Sequence, residues 1–351
     1  MAPNHYAAPV DGQMRLLIKV ARMYHERGIR QADIAESLHI SQAKVSRLLK
    51  RAAAVGVVRT TVMVSPGVHT ELEERLEARF GLLEAVVVDV ESDDDERAVI
   101  GAIGSAAASY LEATLSGGDR IGTSSWSQTL LALVDRMRPL SARGASEVVQ
   151  LLGGIGVPEV QNQAQRLVGE FARMLGAEPV YVQAPGVVAD RGIRDALLKD
   201  SSLAEVTSRW RNLTMAIVGI GSIEPSDLLA ESGNAFEADE RRRLLGAGAV
   251  GDICHHVFTV DGTSVTGELA DRTIAIPVQE FRAIPRRIGI AGGRRKHEPI
   301  LGALNGRWVN VLITDLRTAE ALAGDDGQEP TDADPPLSDE QGATRPTHAD
   351  A

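Results

Sequence analysis

The sequence predicts an α/β protein of two domains: a small N-terminal helix-turn-helix of winged-helix-like type, then a larger domain built on a parallel sheet. Three observations lead there. At 351 residues the chain exceeds one ordinary domain. Beyond Gly81, strand-like and helix-like segments alternate, as in a parallel sheet covered by helices. Before Ser65, three short helical patterns stand apart from that alternation. Aromatic residues make up only 3% of the chain, so the cores must be aliphatic.

Residues 1–13 carry no periodic pattern and are expected to be flexible. From Met14 to Arg27, Leu16, Leu17, Val20, Ala21 and Tyr24 form one apolar stripe at helical period, and Gly28 ends it. A short helix is predicted over Gln31 to Leu38 and a third over Gln42 to Ala54, with Ser41 as its N-cap. The run VGVVRTTVMV then reads as a hairpin or wing. Ser65-Pro66-Gly67 breaks the pattern, which sets domains at 14–65 and 66–323.

Leu72, Leu76 and Phe80 predict a connecting helix over Thr70 to Phe80, its apolar stripe belonging to core or to a subunit contact. Strands are expected at Ala85–Val90, Arg120–Gly122, Glu147–Leu152, Val180–Gln183, Met215–Gly219, Thr273–Ile276, Arg287–Ala291 and Val309–Ile313. Helices are expected at Arg97–Leu115, Trp126–Arg136, Asn162–Leu175, Ser202–Trp210, His297–Leu304 and Thr318–Ala323. Residues 324–351 are rich in Asp, Glu, Gly and Pro and read as a disordered acidic tail.

Charge is distributed unevenly. The net value of −11 conceals a head in which ten Lys or Arg face four acidic residues, and a tail in which eight acids face one Arg345. Positive charge concentrated at one end suits phosphate contact. Cys254 is the single cysteine, so neither a disulfide framework within the chain nor a cysteine metal cluster is open to it. No apolar stretch approaches the ~20 residues of a membrane helix, and no secretion-signal layout precedes Met14, so a cytoplasmic protein without membrane contact is expected.

Gln31 to Lys50, QADIAESLHISQAKVSRLLK, fits a helix-turn-helix template. Ile34, Leu38, Ile40, Val45 and Leu48 fall at the shared core, Ala35 at the helix crossing, and His39 where the turn wants a left-handed residue. The third helix then turns Gln42, Lys44, Ser46, Arg47, Lys50 and Arg51 outward. Gln42, Ala43, Ser46 and Arg47 are the candidates for base edges, because such helices enter the major groove N-terminus first. Ser41, Lys44, Lys50 and Arg51 suit phosphates, and Gln31 opens the preceding helix at the same surface.

In the larger domain, Gly122-Thr123-Ser124-Ser125 follows a strand and precedes a helix, an arrangement that surrounds an anion or equally serves as a Ser-rich N-cap. Gly153-Gly154 and Gly219-Ile220-Gly221-Ser222 are strand-end glycine turns, which alone read as plain turns. His255 and His256, if consecutive on a strand, point to opposite faces and suit structural or surface roles better than metal ligation.

IGTSSWSQTL (121–130), QLLGGIG (150–156), VGIGSI (218–223), GAVGDICHHVFTVDG (248–262) and IPRRIGIAGGRRKHEPILGALNGRWVNVLITD (284–315), together with the helix-turn-helix and VGVVR, resemble the SorC family of sugar-sensing regulators from Met14 to Ala323. The resemblance implies a domain related to phosphosugar isomerases and glucosamine-6-phosphate deaminase, with ligand at the carboxyl ends of the strands. It implies Asp252 and Lys296 in an effector pocket with Gly122, Thr123, Ser124, Ser125, Gly153, Gly154 and Gly221. For Lys296, beside Arg294 and Arg295, a solvated basic cluster is the plain alternative. The deoxyribonucleoside-sensing branch of the family carries a Lys before the double glycine that can form a Schiff base, and this chain has Leu152. The loop TSSWSQT also departs from the family's shorter, glycine-containing form.

The expected function is therefore a homodimeric or homotetrameric regulator that binds operator DNA and responds to a small sugar, sugar phosphate or polyol, without cofactor or metal. The alternative is a sugar-phosphate isomerase or deaminase-like enzyme fused to a DNA-binding head. Asp252 supplies a potential base for that reading, but no His, Glu or Cys is expected to complete an acid/base pair beside it.

Overall fold

A computed structural model of the chain describes residues 12–59, 65, 67–92, 95–155, 158–225, 229–230 and 235–324, with backbone alone at 158–161 and 163. The flexible N-terminus and acidic tail expected from sequence lie outside these residues, apart from Gly12, Gln13 and Gly324. The chain divides into two compact units, 1–65 and 66–351.

The first unit holds α1 (Gly12–His25), α2 (Gln31–Ser37) and α3 (Gln42–Ala54). Val20 of α1 packs with Ile34 and Ala35 of α2 and with Val45 and Leu49 of α3, and Leu17 and Ala21 of α1 pack with Ala52 of α3, all buried. Tyr24 leaves the expected stripe: it is exposed, with its ring edge-on to His25. Leu49, and not Leu48, completes the α3 core, because four residues from Val45 return closer to the same helix face than three do; Leu48 sits half-buried on its flank. The Ser41 hydroxyl caps α3 by accepting the Lys44 N–H at 3.2 Å. His39 takes φ +52° in the turn between α2 and α3, the left-handed conformation read from its position. Of the expected hairpin, residues 55–59 form a turn and 60–64 lie outside the described residues.

The second unit opens with α4 (Thr70–Phe80), whose Leu72 and Leu76 are buried in the core, the first of the two roles read from its stripe. There follow β1 (Glu84–Val88), α5 (Glu96–Thr114), β2 (Asp119–Thr123), α6 (Gln128–Arg136), β3 (Ala145–Gln150), α7 (Pro158–Leu175), β4 (Glu178–Val180), α8 (Arg191–Lys199), α9 (Ser201–Ser208) and β5 (Met215–Gly219). The remainder comprises β6 (Gly221–Ser222), α10 (Ala238–Gly246), β7 (Ala249–Ile253), β8 (His256–Thr259), α11 (Glu268–Arg272), α12 (Val278–Ala283), β9 (Arg286–Ile290), α13 (His297–Asn305), β10 (Val311–Asp315) and α14 (Leu316–Ala323).

Seven strands form a wholly parallel sheet in the order β1-β10-β9-β5-β2-β3-β4. Its strands are apolar runs because both faces are covered: Ala216 and Val218 of β5 face one core and Met215 and Ile217 the other. On the edge strand β1, Ala85 and Val87 donate their N–H groups to the carboxylates of Glu77 and Glu73 of α4, each at 2.9 Å. Those contacts occupy an edge that would otherwise invite another strand.

The helix after β2 packs on one face of the sheet through Leu130 and Leu133, while the helix after β9 packs on the other through Ile300 and Leu304. Connections thus leave in opposite directions across the central strands, and such a switch opens a crevice at the strands' carboxyl ends.

Several elements depart from the sequence reading: α8, α10, α11 and α12 are not among the expected helices, and β4 lies at Glu178–Val180 in place of Val180–Gln183. Thr273–Ile276 is no strand of the sheet; Thr273 and Ala275 form only isolated bridges, to Val187 and Leu152. A second sheet, antiparallel in the order β6-β7-β8, was not anticipated. Its hairpin turns through Cys254 and His255 at φ +50° and +62°, positions where sequence signals normally show Gly or Asn.

Candidate functional site

The crevice lies where β2, β5 and β9 end, with an empty volume of about 830 Å³ including its mouth. One wall is the segment after β2 with the start of α6, from Ser124 to Thr129. A second is the β5–β6 connection from Gly219 to Ser222, backed by Asp252, Cys254 and His255. Ile290 to Gly292 and Lys296 form a further part, and Glu96 and Ile100 of α5, Leu152 and Leu229 complete the lining.

Close backbone approach explains the glycines here. A Cβ at Gly221 would fall 2.0 Å from Asp252 Oδ1, and one at Gly219 would fall 2.6 Å from Ser127 Oγ. These contacts let β6 pair with β7 in the register Gly221 to Asp252, which brings the carboxylate to the crevice. Asp252 Oδ2 accepts the His255 N–H at 2.9 Å.

Lys296 Nζ donates to the Ile220 carbonyl at 3.0 Å. Burial draws the Lys296 ammonium below the ordinary lysine range, while the nearby Asp252 carboxylate opposes that shift. Lys296 is therefore directed into the crevice and is not part of a solvated basic cluster. Burial also holds the His255 imidazole below its ordinary value, favouring the neutral ring, and pushes the Cys254 thiol upward, so the sulfur keeps its proton.

Of the residues predicted from sequence, Ser124, Gly221, Asp252 and Lys296 line the crevice. The others hold the framework behind it. Ser125 Oγ donates to the Leu152 carbonyl at 3.3 Å and accepts from Gln150 Nε2 at 2.6 Å. Thr123 is fully buried, with its hydroxyl toward the Ser124 carbonyl. Cβ atoms at Gly122, Gly153 and Gly154 would meet Leu151, Pro185 and Gln150 at 2.6, 2.2 and 2.1 Å, and at Gly153 the obstructing atom is the Pro185 backbone carbonyl, so packing demands glycine there.

Helix α6 starts at Gln128 and not at Trp126, because Ser127 is its N-cap and accepts the Leu130 N–H at 3.2 Å. The helix N-terminus nonetheless opens on the crevice through Gln128 and Thr129.

Sequence reasoning missed Glu96, Trp126, Cys254 and His255 in the lining. The expectation that no His, Glu or Cys accompanies Asp252 is therefore corrected. Sequence alternation expects His255 on a strand, whereas it sits in a turn at φ +62° with its ring buried. His256 fits the structural role: its Nε2 lies 2.7 Å from the Ile276 carbonyl and its ring stacks on Trp308.

In the first unit, α3 presents Gln42, Ala43, Lys44, Arg47, Lys50 and Arg51 exposed, with Ser41; Ser46 and Gln31 are half-buried. Lys44, Arg47, Lys50 and Arg51 have no ion-pair partner among the described residues. They form a cationic helix face.

Residues 65–323 match the family described as "Putative sugar-binding domain". The chain is 34% identical over 313 residues to the deoxyribonucleoside regulator of Bacillus subtilis, covering 89% of this chain and 98% of that protein. It is 33% identical over 311 residues to the sorbitol operon regulator of Klebsiella pneumoniae, covering 88% and 98%. The crystal structure of the full-length sorbitol operon regulator SorC from Klebsiella pneumoniae superposes with a TM-score of 0.66 at 31% identity, covering 88% of this chain and 98% of that one. No helix among the described residues is long and apolar enough to cross a membrane. The parallel-sheet unit with its carboxyl-end crevice and these matches along nearly the whole length of both relatives lead to one conclusion: the chain belongs to the SorC-type family of transcriptional regulators with a sugar-binding domain.

Proposed function

We propose that the chain is an operator-binding transcriptional regulator whose grip on DNA is altered by a small sugar, sugar phosphate or polyol held in the crevice of the second unit. The observation that carries this reading is the pairing of chemistries in the crevice: a carboxylate, Asp252, and a half-buried ammonium, Lys296, line it together with the N-terminus of α6. A carboxylate accepts from hydroxyls, and the ammonium with a helix N-terminus suits an anionic group.

The helix-turn-helix is the DNA-binding element of this proposal. Gln42, Ala43, Ser46 and Arg47 are assigned to base edges, and Ser41, Lys44, Lys50 and Arg51 to phosphates, with Gln31 alongside. The effector assignment keeps Ser124, Gly221, Asp252 and Lys296 as contacts, with Gly122, Thr123, Ser125, Gly153 and Gly154 shaping the loops that carry them. The scaffold is assigned to the phosphosugar-isomerase type. Leu152 lines the crevice at the position where the deoxyribonucleoside-sensing branch carries its Schiff-base lysine, so no covalent capture through that position is proposed. Dimers or tetramers would place two recognition helices on operator half-sites, and effector binding would shift their spacing.

The enzymatic alternative gains a buried imidazole and a carboxylate in one crevice. Against it stand relatives named as regulators and a Cys254 thiol held protonated. Incubating the purified chain with sugar phosphates and following product by NMR separates the two, since turnover would overturn the regulator reading. Duplex binding that changes on addition of a polyol or sugar phosphate supports it.

A further inference from the structure

His255 is only 4% exposed, yet neither ring nitrogen has a hydrogen-bond partner. Leaving a buried donor and a buried acceptor unmet is costly, and such groups are rare in native interiors. Everything else about the residue is fixed. Its N–H is given to Asp252 Oδ2 at 2.9 Å, its ring packs on Phe236 at 5.1 Å between centroids, and its φ of +62° is one that few non-glycine residues adopt. The ring is held by the protein, its nitrogens have no protein partner, and the residue lines the crevice.

On the facing wall the same condition recurs. Trp126 is 8% exposed, and its indole Nε1 also lacks a partner. Two side chains from distant parts of the chain, both lining one crevice, thus carry buried polar atoms that no protein group meets.

The atoms define their complement. A neutral imidazole offers one donor and one acceptor, and the indole offers a donor only. A phosphate oxygen that has lost its proton only accepts, so it cannot satisfy the acceptor nitrogen of the imidazole. A hydroxyl both donates and accepts. Accepting the crevice as the effector site, we propose that His255 is its specificity-determining residue, reading ligand hydroxyls together with the Trp126 N–H, while any anionic end of the ligand is left to Lys296 and the start of α6. The ligand class is a polyhydroxylated chain or ring, whether or not it carries a phosphate ester.

The test uses the full-length chain with xylitol, D-sorbitol, their terminal phosphate esters and inorganic phosphate, followed by calorimetric titration and by imidazole nitrogen NMR. His255→Phe removes both ring nitrogens and keeps an aromatic face toward Phe236. His255→Asn returns one donor and one acceptor at a residue type that tolerates positive φ. The proposal expects the Phe variant to lose about tenfold in affinity for the polyol probes. It further expects the Asn variant to recover part of that loss, and inorganic phosphate to bind all three proteins alike. On adding a polyol probe to wild type, the His255 ring nitrogen signals should move, a readout that holds even if a variant folds poorly.

Full polyol affinity in the Phe variant, with Lys296→Met still weakening it, would overturn the role of His255 and leave the crevice as effector site. Polyol affinity untouched by both substitutions would remove the crevice reading itself. Wild-type protein that takes up inorganic phosphate but no polyol probe would overturn the hydroxyl-reading proposal.

Discussion

Asp252 holds His255 through its main-chain N–H at 2.9 Å, while its other carboxylate oxygen occupies the space where a side chain at residue 221 would begin. The small antiparallel sheet and the crevice therefore share one constraint. Gly221→Ala must either displace the carboxylate or separate β6 from β7. We expect a loss of roughly 1–3 kcal/mol in stability, read by chemical denaturation, together with weaker polyol binding. Stability and binding equal to wild type would show that the sheet tolerates the added carbon.

Acidification should destabilise the second unit. His255 and His256 both titrate below their ordinary value when folded, chiefly because burial disfavours the charged ring. Between the folded value and the unfolded value of about 6.5, the unfolded chain binds more protons, so stability rises with pH there. It is present in full above about pH 6.5 and falls below it by up to about 1.4 kcal/mol per pH unit for each ring. Melting temperatures between about pH 8 and 5.5 should follow this course, and His255→Asn should flatten it. An unchanged slope in that variant would place the acid sensitivity elsewhere.

The cationic face of α3 predicts a salt-dependent interaction with DNA. Lys44→Gln and Lys50→Gln should each weaken binding to all duplexes alike and lower the slope of log K against log salt by about 1. Arg47→Ala should remove the preference for operator over random sequence. Anisotropy titrations at several salt concentrations separate these effects, and an Arg47 variant that keeps its preference would reassign the base contacts.

Ser41 tests the fold of the first unit without touching its core. Its hydroxyl caps α3 through the Lys44 N–H at 3.2 Å. Ser41→Ala should cost about 1 kcal/mol of that unit's stability. Ser41→Asp should retain the cap yet weaken DNA binding, because it sets a negative charge among the residues proposed to meet phosphates. Equal DNA affinity for the Asp variant would move Ser41 away from the interface.

The parallel sheet was legible because a strand covered on both faces must be apolar along its length, as Met215–Gly219 is. The second sheet was not, since β6 has two residues and its hairpin turn uses Cys254 and His255, which carry no turn signal. Thr273–Ile276 misled for the opposite reason: it is apolar and buried but lies apart from the sheet's ladder, so composition alone could not separate it from a strand. Within the crevice, Asp252 and Lys296 were legible through family resemblance. Gly122, Gly153 and Gly154 look in sequence like Gly221, yet protein atoms fill the space beside all of them, and only beside Gly221 is the filling group an acid that faces the crevice. His255 escaped notice because alternation along an assumed strand is no guide inside a turn.

The most direct measurement is an anisotropy titration of the full-length chain on duplex from its own promoter region, at low salt, with and without a saturating polyol phosphate. The account predicts salt-sensitive binding that the ligand shifts by about fivefold or more, and no ligand effect in Lys296→Met. Binding that is absent at low salt, or that the Lys296 variant modulates as wild type does, would contradict it.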